Sequence, residues 1–403
     1  MEFKDEEKEF LEGKESGIDR EVNPIYEPRE DSELLRAQIK EHAHGRVLDM
    51  GTGSGILAQE AATYAGEVYA TDINPKAVEG LKGDGRIRAL ESDLFSNPEL
   101  DRRFDLITFN PPYLPNEEGI EDMALFGGRK GHETTVAFIE QVADHLEDDG
   151  TVLLLFSTLT GKEKVEKAIE RALLGWECIE EKPLFYERLY VYRITKTKLL
   201  RDIQGRGVRS LRYLTEGKRG MVSTAMKGNE QVVVKVTHPE SEAKNRVDIE
   251  AQWLRKLEGD IQCPRLIDAG DSFIICDYIE GELIEAFVKR HEQSEIRQVL
   301  CSVLDQCRRL DERGIDKEEM HRPLKHIIVS ERTYLIDFER AHHTERPRNV
   351  TQFCQFIASK GFANNLRERG VNIDGEALLS RAREYKKTYA DADFKRVREL
   401  IEG

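Results

Sequence analysis

The chain has 403 residues, 39% hydrophobic and 34% charged, with 61 Lys and Arg against 77 Asp and Glu and a formal net charge of −16. That length holds roughly two or three domains of about 100–200 residues, each large enough to bury a core. The acidic balance argues against a general nucleic-acid binder, whose affinity for phosphate comes largely from Lys and Arg.

The charge is unevenly divided. Residues 1–198 carry a net −17 and residues 199–403 a net +1, which points to two modules. Residues 1–20 are rich in Glu and Lys and are expected to be a flexible segment. They contain no apolar core of signal-peptide type, and no stretch approaches 18 uninterrupted apolar residues, so no membrane association is expected. The six cysteines, Cys178, Cys263, Cys276, Cys301, Cys307 and Cys354, form no C-x-x-C pair. Their spacing fits inert thiols in a reducing cytoplasm.

From Arg46 short apolar runs alternate with amphipathic stretches. Arg46–Met50, Gly66–Asp72, Ile87–Leu90 and Phe104–Phe109 read as strands. A helix is predicted over Thr134–Glu147, ending near Gly150 in a left-handed cap. A buried strand over Thr151–Ser157, a helix over Lys162–Leu174 and a strand over Leu189–Ile194 follow. This alternation predicts an α/β fold with a parallel, doubly wound sheet over residues 21–198.

Residues 199–212 are expected to form a basic linker, either solvated or a docking patch for an acidic surface or RNA. Over 213–403 the pattern changes. Gln231–Val236 and Phe273–Tyr278 read as strands, and Glu240–Leu257 and Ser294–Asp311 as helices. His326–Val329 and Tyr334–Ile336 are two short strands, and the remainder is helical and polar, which predicts a two-lobed α+β domain.

The chemistry of the first half begins at Asp49-Met50-Gly51-Thr52-Gly53-Ser54-Gly55, directly after the first strand. Glycines there allow a tight turn and close approach of backbone to a ligand. Asp72, about 20 residues on at the end of the second strand, is placed to accept hydrogen bonds from ribose hydroxyls. Asp93 and Leu94 follow the third strand, where a carboxylate meets an adenine amino group and an apolar side chain packs on its face.

Asn110-Pro111-Pro112-Tyr113 ends the fourth strand. Here the chain resembles the class I, S-adenosylmethionine-dependent methyltransferases that modify planar amide or amino nitrogens. The resemblance implies that the Asn oxygen and the first Pro carbonyl accept the two N–H bonds of such a nitrogen, while the Tyr ring packs on the planar group. The prolines fix the loop before binding.

Upstream, Tyr26-Glu27-Pro28-Arg29-Glu30-Asp31-Ser32-Glu33-Leu34-Leu35 is similar to a segment of the HemK-like protein glutamine methyltransferases, which act on the GGQ loop of translation release factors. Gly127-Gly128-Arg129-Lys130-Gly131 also resembles that family. By this resemblance Pro28, Glu30 and Ser32 line the site. Few residues precede the motif, which resembles the short archaeal and eukaryotic branch and implies a small zinc-binding activator protein. The alternative acceptor is an adenine or other amino group in RNA or DNA. The −17 of this half disfavours it, leaving nucleic acid an indirect partner.

In the second half, Val232-Val233-Val234-Lys235-Val236 follows a glycine-bearing turn, Gly217-Lys218-Arg219-Gly220, and Glu250 lies on the next helix. Cys276–Gly281 reads as a hinge and Leu335-Ile336-Asp337-Phe338-Glu339 as a metal-binding turn. Together these resemble the protein kinases, similar to the compact RIO-type or other atypical archaeal ones. The resemblance implies ATP held by Lys235, paired with Glu250, and Mg²⁺ held by Asp337. Read on His321-Arg322-Pro323-Leu324, the catalytic loop would have Pro323 where the base stands and Ile328 at the Asn position. Anchored instead on the strand Ile327–Val329, it has Glu319 near the base position and His326 at the Asn position; this register is preferred. The second half is then either an active kinase or a non-catalytic pseudokinase that docks.

Overall fold

The structure, a computed structural model, describes residues 27–112, 131–217, 220–237 and 246–403. It divides into two compact units, Met1–Leu200 and Arg201–Gly403.

The first unit opens with helix α1 (Glu30–His42), strand β1 (Arg46–Met50), helix α2 (Ile56–Ala61), strand β2 (Glu67–Asp72), helix α3 (Pro75–Leu81) and strands β3 (Ile87–Glu91) and β4 (Phe104–Phe109). Helix α4 (Glu133–His145), strand β5 (Leu146–Ser157), helix α5 (Lys162–Arg171), strands β6 (Leu174–Pro183) and β7 (Arg188–Lys196) and helix α6 (Lys198–Gly205) follow. The strands form one sheet in the order β3-β2-β1-β4-β5-β7-β6. The first five are parallel, while β7 runs antiparallel to both β5 and β6. The sheet is therefore mixed, not wholly parallel. A two-stranded hairpin needs no crossover, so β6–β7 closes the edge with a tight turn.

The order reverses between β2 and β4, on either side of β1. A crevice forms at the carboxyl ends of the strands where a doubly wound sheet reverses, and ligands bind there. The loops after β1, β2, β3 and β4 all end on that edge. The start of α1 is brought to the same edge because the helix packs on α2, β5 and β7. Its inward residues Leu35 and Ile39 are fully buried in the unit's core. Their burial is worth about 3–6 kcal/mol. An Arg36–Glu60 ion pair (2.8 Å) ties α1 to α2.

Gly150 differs from expectation. α4 stops at His145 and β5 begins at once, so Gly150 lies inside the strand and not in a left-handed cap. Its role is close approach: a Cβ there would lie 2.8 Å from the carbonyl oxygen of Phe104, where the β4–β5 register shifts.

The expected linker over 199–212 is ordered secondary structure. α6 carries the chain across the division at Leu200, and strand β8 (Val208–Glu216) starts the second unit. β9 (Gly220–Lys227), β10 (Glu230–Thr237), helix α7 (Arg246–Leu257), β11 (Leu266–Gly270) and β12 (Phe273–Asp277) follow. They make a five-stranded antiparallel sheet, β11-β12-β10-β9-β8, with α7 against β10, β11 and β12.

The rest is mostly helical: β13 (Glu282–Leu283), α8 (Ile284–Arg290), α9 (Gln293–Glu312), β14 (Ile315–Asp316), β15 (Ile327–Val329), β16 (Thr333–Leu335) and β17 (His342–His343), then α10 (Asn349–Ile357), α11 (Lys360–Glu368), α12 (Gly375–Thr388) and α13 (Asp391–Glu402). Its core includes Leu300, Leu304, Leu310, Phe338, Phe353 and Tyr385. Among the described residues no helix is long and apolar enough to cross a membrane. All six cysteines are free thiols.

Gly150→Ala is expected to destabilise the first unit by about 1–3 kcal/mol, the usual cost of overpacking. A denaturant melt of the purified chain reads this as a lower midpoint. An unchanged midpoint would mean that β4 and β5 can separate locally at no cost.

Candidate functional site

The site of the first unit lies at the carboxyl edge of its sheet. The loop after β1 places Gly51, Gly53 and Gly55 at φ values of +64°, +51° and +82°, a region that side-chain-bearing residues rarely occupy. A Cβ on Gly55, the residue that caps α2, would run into Leu81. Within the loop the N–H groups of Thr52 and Gly55 donate to the carbonyls of Thr71 and Thr52, which fixes the turn, and Gly51 leaves the backbone exposed at its first residue.

Asp72 anchors this loop. Its Oδ2 accepts from the backbone N–H of Gly53 (2.8 Å) and its Oδ1 from that of Asn74 (2.8 Å). A carboxylate offers about four acceptor positions, so both oxygens retain capacity for ligand hydroxyls.

Asp49 is fully buried beneath the loop, and the hydroxyls of Thr52 (2.6 Å) and Thr108 (2.8 Å) donate to it. Its carboxylate supports the loop from below and presents no exposed surface to a ligand. Burial pushes its pKa up to about 6, against the lowering effect of the two threonine hydroxyls.

After β3, Leu94 is held at φ +46°. Strain of this kind in a residue with a side chain concentrates at functional sites. Ser92 supports the turn: its Oγ donates to the Leu94 carbonyl (2.7 Å) and accepts from the Asn97 N–H (3.1 Å). Asp93 is exposed beside it. An aromatic chain joins this turn to the end of β4: Phe95 stacks on Phe138 at 5.7 Å, and Phe138 packs on Phe109 at 4.6 Å.

Asn110 follows Phe109. Its Nδ2 donates to Asp31 Oδ2 at 3.0 Å. An ionised carboxylate only accepts, so this contact fixes which way the carboxamide faces. The other end, Asn110 Oδ1, is buried with no hydrogen-bond partner among the described residues. A buried polar atom left unpaired costs about 1–3 kcal/mol, so it invites a donor from a ligand.

Asp31 is itself 3% exposed, with Oδ1 accepting from the Ser32 N–H (2.7 Å). Ser32 is buried beside it, while Glu30 is exposed and pairs with Lys182 (3.2 Å), and Pro28 is exposed. Pro111 and Pro112 continue from Asn110; Tyr113 and residues 127–130 lie outside the described residues. Among Pro28, Glu30 and Ser32, none contacts Asn110 in the way Asp31 does. Sequence reasoning passed over Asp31, and its only signal was its place between two of those three.

The described residues form a turn of backbone around Gly51–Gly55, acidic groups at Asp72 and Asp93, an apolar side chain on a left-handed backbone at Leu94, and one unfilled acceptor at Asn110. These groups suit a nucleoside-bearing cofactor beside a nitrogen that must be held by its N–H bonds. The family profile of the methyltransferase small domain matches residues 29–186, the stretch that carries these groups. The chain is 37% identical over 164 residues to a Methanocaldococcus jannaschii protein assigned as a protein N5-glutamine methyltransferase, covering 38% of this chain and 82% of that one. It is 31% identical over 193 residues to the Homo sapiens methyltransferase HEMK2, covering 43% and 90%. The chain belongs to the HemK-like methyltransferases. It is an S-adenosylmethionine-dependent methyltransferase with a class I, Rossmann-like first unit. A solved Mtq2–Trm112 complex from E. cuniculi, described as responsible for methylation of the eRF1 termination factor, is 27% identical, covers 43% of this methyltransferase and 98% of that chain, and superposes with a TM-score of 0.36.

The second unit of the methyltransferase gathers a separate cluster of charges. Lys235 Nζ lies 2.5 Å from Glu250 Oε1 on α7. Burial works against the Lys235 charge, but Glu250 and then Asp337 outweigh it and raise its pKa. Asp337 stands at φ +66°, and its Oδ2 is 3.6 Å from His326 Nδ1, a buried atom without a hydrogen-bond partner among the described residues. Burial, then Lys317, push His326 down to about 4, so its ring is neutral.

Lys317, not anticipated from sequence, is fully buried; its Nζ donates to the Asp337 carbonyl (2.6 Å) and lies 3.4 Å from Glu319 Oε2. Glu319 also faces Arg340 at 3.6 Å. The structure thus brings Lys235, Glu250, Glu319, His326 and Asp337 into one group, with Lys317 at its centre. Gly217 and Gly220 close the β8–β9 hairpin (Gly217 N–H to Gly220 carbonyl, 2.9 Å); residues 218–219 lie outside the described residues.

Asp49 gives a pH signature. Its folded pKa, about 6, is above the unfolded carboxylate value, so the folded state holds the proton more tightly. Its contribution to stability is present below about pH 4 and is lost as pH rises through about 6. Asp49→Asn, which cannot ionise, is therefore expected to gain stability relative to wild type from pH 4 to 7 in ligand-free thermal melts. A difference that stays constant over that range would show a normal carboxyl.

Proposed function

We propose that the first unit transfers the methyl group of S-adenosylmethionine to the side-chain amide nitrogen of a glutamine in a protein, and that the protein is a translation release factor with its GGQ loop. The observation that carries this is the unfilled acceptor Asn110 Oδ1, held in one orientation by Asp31. Relatives named release factor glutamine methyltransferase support the substrate class; the one from Koribacter versatilis is 34% identical over 163 residues, and the match covers 57% of its length.

In this reading the backbone of Gly51–Gly55 and the carboxylate of Asp72 hold the cofactor's amino-acid and ribose parts. Asp93 and Leu94 hold its adenine, and Pro28, Glu30 and Ser32 border the site. When bound, the cofactor supplies an electrophilic methyl group on a sulfonium. An amide nitrogen is a poor nucleophile because its lone pair is delocalised into the carbonyl. Asn110 Oδ1 and the Pro111 carbonyl accept its two N–H bonds, which orients the nitrogen and stabilises the positive charge that grows on the N–H bonds as the methyl arrives. Pro111 and Pro112 keep that loop from reorganising, and Tyr113 shields the planar group. As the N–C bond forms the sulfonium's S–CH₃ bond would break, leaving a neutral thioether, and one of the two N–H protons would then pass to solvent.

Asn110→Ala is expected to lower methyl transfer at least about 100-fold while leaving cofactor affinity within about twofold. Asp31→Ala is expected to lower kcat about tenfold or more, because Asn110 can then turn its amide end toward the substrate. The measurement is mass spectrometry of a purified release factor after incubation with the chain and cofactor, with and without a small zinc-binding activator. An unmodified glutamine under both conditions refutes the reading. A methylated adenine in added RNA or DNA would favour the nucleic-acid alternative.

We infer for the second unit a kinase-like fold whose cluster binds ATP, on the observation that the half-buried Lys235, paired with the buried Glu250, meets Asp337 and His326 in one place. Lys235 would contact the phosphates. Asp337 and His326 would hold Mg²⁺, which would neutralise phosphate charge. Lys235→Ala in the full chain is expected to weaken MgATP binding at least tenfold by calorimetry. Binding without turnover would favour a docking pseudokinase, and no binding by the wild type refutes the inference.

A further inference from the structure

The turn of the β6–β7 hairpin carries two aromatic side chains that the fold does not use. Phe185 is 89% and Tyr186 81% exposed, their rings set edge to face at 4.6 Å. Large apolar groups left this open on a folded surface mark interaction sites when they are grouped. The Leu184 N–H donates to the Glu187 carbonyl at 2.8 Å, so the main chain that carries the rings is set before anything binds.

The register shows where the tip points. Ser157, the last residue of β5, pairs with Leu189, and Leu189 pairs with Lys182. The turn at 184–187 therefore projects beyond the carboxyl edge, the edge that carries Asn110. Across the sheet β7 is two strands from β4, a separation of about 10 Å. The base of the hairpin is fixed to the site from two sides. The Arg188 N–H donates to Thr158 Oγ1 (3.1 Å), and Lys182 pairs with Glu30, the neighbour of Asp31. Leu159, 44% exposed on the turn after β5, and Ile73, 47% exposed after Asp72, add apolar surface along the same edge.

Charge selects the occupant. The two cations that flank the aromatic pair are already paired, Lys182 with Glu30 and Arg188 with Glu181. A nucleic acid stacking on the rings would need cations for its phosphates. A protein surface with apolar side chains would not; Tyr and Phe are enriched at protein interfaces, and Tyr is a common energetic centre there.

We propose that Phe185 and Tyr186 form a docking lip for the protein substrate, binding apolar side chains that flank the methyl-accepting residue. This rests on the protein methyltransferase reading above. The lip contacts substrate away from the reacting atoms, so it contributes to binding and not to the chemical step.

The test is steady-state methylation of a purified release factor by the full chain and by Phe185→Ala/Tyr186→Ala. The double variant is expected to raise the KM for the release factor at least tenfold, with kcat, the KM for the cofactor and the melting temperature unchanged. An unchanged KM, or a fall in kcat alone, overturns the lip. Binding of a single-stranded RNA oligonucleotide that the double variant loses, with the release factor KM intact, overturns it in favour of a nucleic acid. If the wild type methylates no release factor, the proposed substrate fails and the lip falls with it, a result distinct from a wild type that is active and a double variant that is equally active.

Discussion

The first unit depends on one hydrogen bond, from Asn110 Nδ2 to Asp31 Oδ2. A carboxamide is nearly symmetric in shape, and its two ends differ only in donating or accepting. If Asn110 faced the site with its NH₂ group, two donors would confront the N–H bonds of an incoming amide. Asp31 removes that state, because a carboxylate has nothing to donate. The cost is a buried carboxylate and a buried unfilled oxygen, and the fold carries it where substrate can offset it. Much of the surrounding architecture places these two residues together. β4 delivers Asn110 from the centre of the sheet, and α1, held by Leu35, Ile39 and the Arg36–Glu60 pair, delivers Asp31 from the chain's other side.

The rest of the edge shows the same division of labour between groups that face a ligand and groups that hold them. Asp49 carries no exposed surface, yet it accepts from Thr52 in the glycine loop and from Thr108 in β4. It joins that loop to the strand that ends in Asn110. Its raised pKa reflects the cost of burying that charge. The aromatic chain Phe95–Phe138–Phe109 makes a second link, from the turn that strains Leu94 to the residue before Asn110. A displacement at either loop is therefore felt at the acceptor.

What could be read from sequence follows from how local each signal is. The strands Arg46–Met50 and Phe104–Phe109 were legible to the residue because their apolar runs end at motif residues. The glycine loop and Asn110-Pro111-Pro112 stand out because each is a contiguous motif, and the structure places both at the carboxyl edge of the sheet. β6 was not legible, since Leu174–Pro183 reads Glu-rich: it is a largely exposed edge strand, and its identity comes from pairing with β7. Gly150 was misread because a glycine after a helix is usually a cap, whereas here the constraint is a carbonyl of β4, remote in sequence. Asp31 and Lys317 were missed for the same reason. Each sits in a run of charged residues that looks solvated, and only the fold closes over it.

The two units solve opposite electrostatic problems. At Asn110 the site needs a neutral acceptor, and a single carboxylate suffices to orient it. At Lys235 the site gathers three cations, Lys235, Lys317 and Arg340, against four carboxylates, Glu250, Glu319, Asp337 and Glu339. None of these charges is buried alone, which is what allows a fully enclosed Lys317. Such a cluster is nearly neutral as it stands, so it accepts a polyanion only together with counter-charge. His326 keeps a neutral ring and an unpartnered Nδ1 beside Asp337, which is the point at which a divalent cation would bring that charge. If the second unit binds a nucleotide as proposed, binding of anion and cation is expected to be mutually dependent, whereas the first unit's glycine loop and carboxylates form no such balanced cluster of charges.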